Sequence, residues 1–180
     1  MTSKEFYAVF NSAFASAFKE KGLQKAPGTT SAWFKACGDR IFVFEVAKGV
    51  KNPYIPPIGG QFNTKYFLIP EERGVKARYT DYCILPRYYA GEAEMCDLEA
   101  IRKAIINKII SQPEPVSKFD KMLLESSIGI MKLDLRQPCP YYNSNFLPYL
   151  DAEDCRLYAG HFLRVIDLFL TEMPAHPQFF

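Results

Sequence analysis

Histidine is nearly absent from this sequence: His161 and His176 are the only two in 180 residues. Cysteine is sparse and odd in number, with Cys37, Cys83, Cys96, Cys139 and Cys155 scattered and no C-x-x-C pair among them. A disulfide scaffold needs paired thiols, and a structural zinc site needs closely spaced thiols or imidazoles. Neither is expected; nor is a metal or other cofactor. Reduced, mostly buried thiols in a cytoplasmic protein are expected instead. The common catalytic and nucleotide-binding signatures are also missing: no G-x-S-x-G, G-x-x-x-x-G-K-S/T, H-E-x-x-H or G-x-G-x-x-G occurs. No stretch approaches the ~18 uninterrupted apolar residues of a membrane span. An excess of either charge is lacking too. The net charge of +2 argues against a strongly basic nucleic-acid binder.

What is present is a globular mixture, 48% hydrophobic, 15% aromatic and 23% charged. It is too apolar for a disordered chain, and its length fits one domain spanning residues 1–180. Charge divides unevenly along the sequence. Residues 1–90 hold 13 Lys+Arg against 7 Asp+Glu, giving +6, while residues 91–180 hold 9 against 13, giving −4.

The first 20 residues read as an amphipathic helix. Thr2 with Glu5 forms a capping box, in which hydroxyl and carboxylate each satisfy a free backbone N–H. Phe6, Val9, Phe10, Ala13, Phe14, Ala17 and Phe18 recur at helical spacing, and Gly22 can end the helix in the left-handed region. Ala15-Ser16-Ala17 resembles a signal-peptidase site. However, Glu5 cancels Lys4 and Asn11-Ser12 breaks the apolar run, so a helix over 3–21 is the expectation.

Strand-like runs follow at 32–37 and 40–46, separated by Gly38-Asp39 in a two-residue hairpin turn. That register sets Phe34 against Val43 and Trp33 against Phe44. Further strands are expected from Gln61 to Ile69 and from Tyr79 to Leu85. Between the second and third strands, residues 48–60 carry three prolines and three glycines, which exclude regular structure and suit a binding loop or plain surface. The pattern then becomes helical. Asp97 is expected to cap a helix over 98–111, Ser117 with Asp120 to start another at 119–124, and Asp151 to cap a last helix over 152–173. The last helix has Cys155, Ala159, Phe162, Ile166, Phe169 and Met173 as its buried stripe. Pro138, Pro140 and Pro148 should hold 137–150 irregular, and 128–135 fits helix and strand equally. Strands followed by helices imply an α+β fold: an antiparallel sheet of four to five strands packed by an N-terminal helix and two to three C-terminal helices.

No catalytic residue stands out. Cys155 and His161 lie six residues apart, about 600° around a helix, so they cannot meet as nucleophile and base. Cys155 reads as core and His161 as a flank or interface residue. The acids Glu92, Glu94, Asp97 and Glu99, and likewise Asp151, Glu153 and Asp154, approach helix starts, where the dipole favours them. Carboxylates so grouped could also serve acid–base chemistry. The basic and aromatic residues Lys51, Tyr54, Lys65, Arg73, Lys76, Arg78, Arg87, Tyr88 and Tyr89 fall in or beside loops around the sheet. Arg and Tyr interleaved on a surface suit partner recognition or a single-stranded nucleic acid. Lys51, Tyr54, Arg78, Arg87 and Tyr88 are the candidate binding residues.

Phe18-Lys19-Glu20-Lys21-Gly22-Leu23-Gln24-Lys25, Trp33-Phe34-Lys35, Gly38-Asp39 leading into Ile41-Phe42-Val43-Phe44, and Gly60-Gln61-Phe62 together resemble the bacterial domain of unknown function 4304 over residues 5–70. The resemblance implies a helix-plus-sheet domain and transfers no catalytic residue. The Pro-rich 53–57 and the second half depart from its pattern. By analogy of style, such small proteins accompany bacterial toxins as immunity proteins. The expectation is a non-catalytic protein-binding module with a protein partner such as a cognate toxin. The alternatives are a small hydrolase or transferase using carboxylates, and a single-strand nucleic-acid binder.

Overall fold

A computed structural model describes residues 1–48, 59–73, 83–84, 92–113, 117–119, 121–122, 125 and 147–172. The expected α+β architecture is present. Helix α1 (Ser3–Glu20) leads into β1 (Gln24–Lys25), β2 (Ala32–Cys37), β3 (Arg40–Lys48) and β4 (Gly60–Pro70). After a 3-10 turn at Glu71–Arg73 come β5 (Cys83–Ile84), α2 (Glu92–Ile110), β6 (Leu147–Tyr149) and α3 (Ala152–Glu172). The sheet is antiparallel in the order β1-β2-β3-β4-β5, with β6 also pairing β4.

The capping box closes as the sequence predicts: Glu5 N–H donates to Thr2 Oγ1 at 3.2 Å, and Thr2 N–H to Glu5 Oε2 at 2.7 Å. The β2–β3 hairpin keeps its predicted register, Phe34 opposite Val43 and Trp33 opposite Phe44. Gly38 supplies the turn with φ +65°.

Alternation along the strands makes two apolar layers. On one face Trp33, Phe42, Phe44, Val46, Phe62, Tyr66 and Leu68 meet the helices. Phe6, Phe10, Phe14 and Phe18 of α1 are fully enclosed there. Phe14 stacks on Phe18 at 4.5 Å and meets Trp33 and Phe44 edge-on, geometries that aromatic quadrupoles favour. From α3, Phe162 reaches Phe44 and Phe169 reaches Phe42. On the other face Ala32, Ile41, Val43, Phe67 and Ile69 form a second, smaller cluster.

Three expectations are corrected. Helix α2 starts at Glu92, so Asp97 is not its cap but lies inside it. Buried Met95 extends the apolar stripe one turn back from Leu98. Lys65 belongs to no loop; it sits in β4 opposite Glu45. Residues 147–149 are a strand despite Pro148, which lies opposite Gln61 on a three-residue strand bonded to β4. Proline is tolerated at such margins, where its missing N–H is not needed by the ladder. Of the expected 119–124 helix, Phe119, Lys121 and Met122 are helical, with Lys121 N–H donating to Ser117 O. Met173 and 128–135 lie outside the described residues, as does the predicted fourth strand apart from Cys83 and Ile84.

Candidate functional site

Two places concentrate polar groups beyond what the core needs. The first is the root of the connection between β3 and β4. At its start, Lys48 N–H donates to Tyr7 Oη at 3.1 Å, and Lys48 Nζ donates to Ser3 Oγ at 3.1 Å. Both partners belong to α1, so the end of β3 is tied to the helix. At its finish, Gly59 has φ +82° and runs so near β6 that a Cβ there would stand 2.2 Å from Tyr149 O. A Cβ on Gly60 would stand 2.5 Å from Tyr149 Oη, inside the fully buried ring's space. Glycine is required at both positions by close approach, and at Gly59 by conformation also.

The second place is the seam between α2 and α3, which run antiparallel. At one end Lys108 Nζ donates to Asp151 Oδ2 at 2.6 Å and Asp154 Oδ1 at 2.8 Å. Asp151 caps α3 as predicted, its Oδ1 accepting from Glu153 and Asp154 N–H. Asp154 is buried, and its Oδ2 accepts from Leu150 and Asp151 N–H, so all of its charge is solvated by donors. Burial alone would lower the Lys108 ammonium, but the hydrogen bonds it donates to both carboxylates outweigh that and hold the group above its ordinary value. At the other end His161 Nδ1 lies 2.8 Å from Asp97 Oδ2, and Arg164 donates to the same oxygen. A carboxylate can only accept, so the imidazole carries its proton on Nδ1. Burial pushes the Asp97 carboxyl up, yet the bonds from His161 and Arg164 bring it below its usual range. For His161 the balance is reversed: burial lowers its affinity for a second proton more than Asp97 restores it. Between the two ends lies Arg102, buried beside Glu99 at 3.5 Å.

Lys51, Tyr54, Arg78, Arg87 and Tyr88, the binding residues predicted from sequence, all lie outside the described residues. What sequence reading missed is that Asp97, Arg102, Lys108, Asp154 and His161 work across one seam. The i, i+3 and i, i+4 rows carrying them were read only for their apolar members. A polar residue inside an apolar row, such as Arg102 between Leu98 and Ile105, was the available signal.

Cys155 and His161 do not pair. Cys155 is enclosed, and burial, then the charges of Asp154 and Asp151, push its thiol up to about 12. Cys96 is exposed and Cys37 half-buried, and none of the three is in a disulfide. Only about one part in ten thousand of such a thiol is ionised at pH 8, and the thiolate is the nucleophile. Among these three, alkylation of the folded protein at pH 8 is therefore expected to label Cys96 first, Cys37 more slowly and Cys155 only after unfolding. Peptide mapping over time reads the order; early labelling of Cys155 would contradict its placement.

No described helix is long and apolar enough to cross a membrane. Compared with known families, curated proteins and solved structures, the chain matches none.

Proposed function

We propose that the chain is a non-catalytic protein-binding module that presents residues 49–58 to a protein partner, in the manner of an immunity protein blocking a bacterial toxin in the cytoplasm. The observation that carries this reading is the anchoring of both ends of that connection, Lys48 on Tyr7 and Ser3, Gly59 against Tyr149. A loop held at both roots by a packed scaffold loses less entropy on association than one that swings freely. The sequence between the roots adds Lys51 and a tyrosine, Tyr54, among Pro53, Pro56 and Pro57. Aromatic and Arg side chains dominate binding energy at interfaces. The seam supports the same reading. Asp97, Asp151 and Asp154, which a hydrolase or transferase would deploy as acids or bases, are each engaged by His161 and Arg164 or by Lys108. Kinship with the bacterial domain of unknown function 4304 over residues 5–70 belongs to the same proposal.

Tyr54→Ala and Arg87→Ala are each expected to weaken partner binding by about 2 kcal/mol or more, roughly thirtyfold, with the thermal midpoint nearly unchanged. A partner recovered by pull-down and titrated calorimetrically against both variants, alongside their melting curves, checks this. Unchanged affinity with a lowered midpoint would assign Tyr54 to the fold and remove the loop as the site.

A further inference from the structure

Helix α2 packs one side on α3 and β6 and leaves its outer face to solvent. Ala93, Cys96, Ala100, Lys103, Asn107 and Ile110 are all exposed there, and Ile110, at 49%, is a large apolar side chain left in water. They recur at alternating steps of three and four residues, the spacing with which one helix lies along another. Side-chain size changes along this seam: Ala93, Cys96 and Ala100 are small, whereas Lys103, Asn107 and Ile110 are larger. Charge changes with it. Residues 92–100 hold Glu92, Glu94, Asp97 and Glu99 and no base, while 101–110 hold Arg102, Lys103 and Lys108 and no acid. That order suits the helix dipole. It also makes the helix complementary to itself turned end for end.

We propose that the outer face of α2 is a homodimer surface: a second copy of the chain docks its own α2 antiparallel along it, about a twofold axis between Ala100 and Lys103. In that register Ala93 lies opposite Ile110 of the second copy, Cys96 opposite Asn107 and Ala100 opposite Lys103. The same three layers recur on the far side of the axis. Every layer sets a small side chain against a larger one, so the helix axes can approach to about 8–10 Å without leaving voids. Ile110 is withdrawn from water by covering Ala93 of the second copy. Lys103 comes within reach of Glu99 of the second copy, whose contact with Arg102 of its own chain is a long 3.5 Å. A parallel pairing would instead stack Lys103 on Lys103, and facing like charges disfavour it. The exposed face of α1 offers no comparable fit. Its Ala8, Ser12, Ala15 and Ser16 are small throughout, with no larger residues to meet them end for end.

Sedimentation velocity of the full chain under reducing conditions, from micromolar to millimolar concentration, is expected to show monomer passing into dimer. Ala100→Arg sets a cation opposite Lys103 and should weaken association at least about tenfold. Ala15→Arg, on α1, should leave association unchanged. Both positions are exposed, so the thermal midpoint of the dilute variants should stay near that of the wild type. Thiol cross-linking reads the orientation. With a mild oxidant, Asn107→Cys should give a dimer joined from Cys96 to the introduced thiol, located by peptide mapping. The wild-type chain should form no bond from Cys96 to Cys96, because antiparallel docking separates those thiols by about 16 Å along the axis. If Ala100→Arg does not fold, the cross-link still decides. A monomer at every concentration, undiminished association of Ala100→Arg, a bond from Cys96 to Cys96 in the wild type, or no bond in Asn107→Cys would each overturn the proposal.

Discussion

Phe14→Ala is expected to cost about 3–5 kcal/mol in urea unfolding, the range for emptying an aromatic core site. Phe14 is fully enclosed, stacked on Phe18, tilted against Phe10 and edge-on to Trp33 and Phe44. Four aromatic neighbours cannot collapse into one vacated space without breaking their own contacts, which places the loss in the upper part of the range. Ser16, two residues on, is exposed, and Ser16→Ala should stay within about 0.5 kcal/mol. Equal urea midpoints for the two variants would mean that the phenylalanine stripe is not what joins α1 to the sheet.

Gly59→Ala should be comparably damaging for a different reason. A left-handed conformation costs a residue with a Cβ about 1–2 kcal/mol. The new Cβ would also lie 2.2 Å from Tyr149 O, a backbone atom with nowhere to retreat, and overpacking adds about 1–3 kcal/mol. Gly28→Ala is the matched control. Its φ is +67° with nothing within 4 Å of the added carbon, so only the conformational part should appear. Chemical denaturation of both variants separates the two costs. If they lose equal stability, β6 does not press on the root of β4 as described.

Much of the fold could be read from the sequence where local chemistry dictates it. The α1 stripe repeats at one helical period with a cap at its start, and the Gly38-Asp39 turn fixes the β2–β3 register by itself. Elements whose reason lies far away in the chain could not be read. The acids preceding Leu98 look like a cap because capping is the local explanation; the actual partners of Asp97 are more than sixty residues distant. Strands β1 and β6, of two and three residues, are too short for any periodicity to declare them. The same holds for the candidate site. The prolines and the tyrosine of 49–58 are visible in the sequence, whereas the roots that hold it depend on Tyr7 and Tyr149, from opposite ends of the chain.

The brevity of β1 bears on how the protein behaves in a crowded solution. An open sheet margin is a template on which another chain can lay its own backbone, the first step toward fibrils and swapped dimers. Here the margin is two residues long, Gln24 and Lys25, and both are exposed. The lysine ammonium sits 5.5 Å from the centre of the Trp33 ring, so a positive charge guards the edge. Val46 N–H bonds to Ser31 O and Ala26 N–H to Ala32 O, so alternate residues of β2 face β3 and β1. Past the end of β1 that alternation turns only the Ala36 backbone outward. At Gly22 the chain bends away into α1. On the β1 side, a phenylalanine-rich sheet that would otherwise invite polymerisation is thereby given a margin too short and too charged to recruit a neighbour.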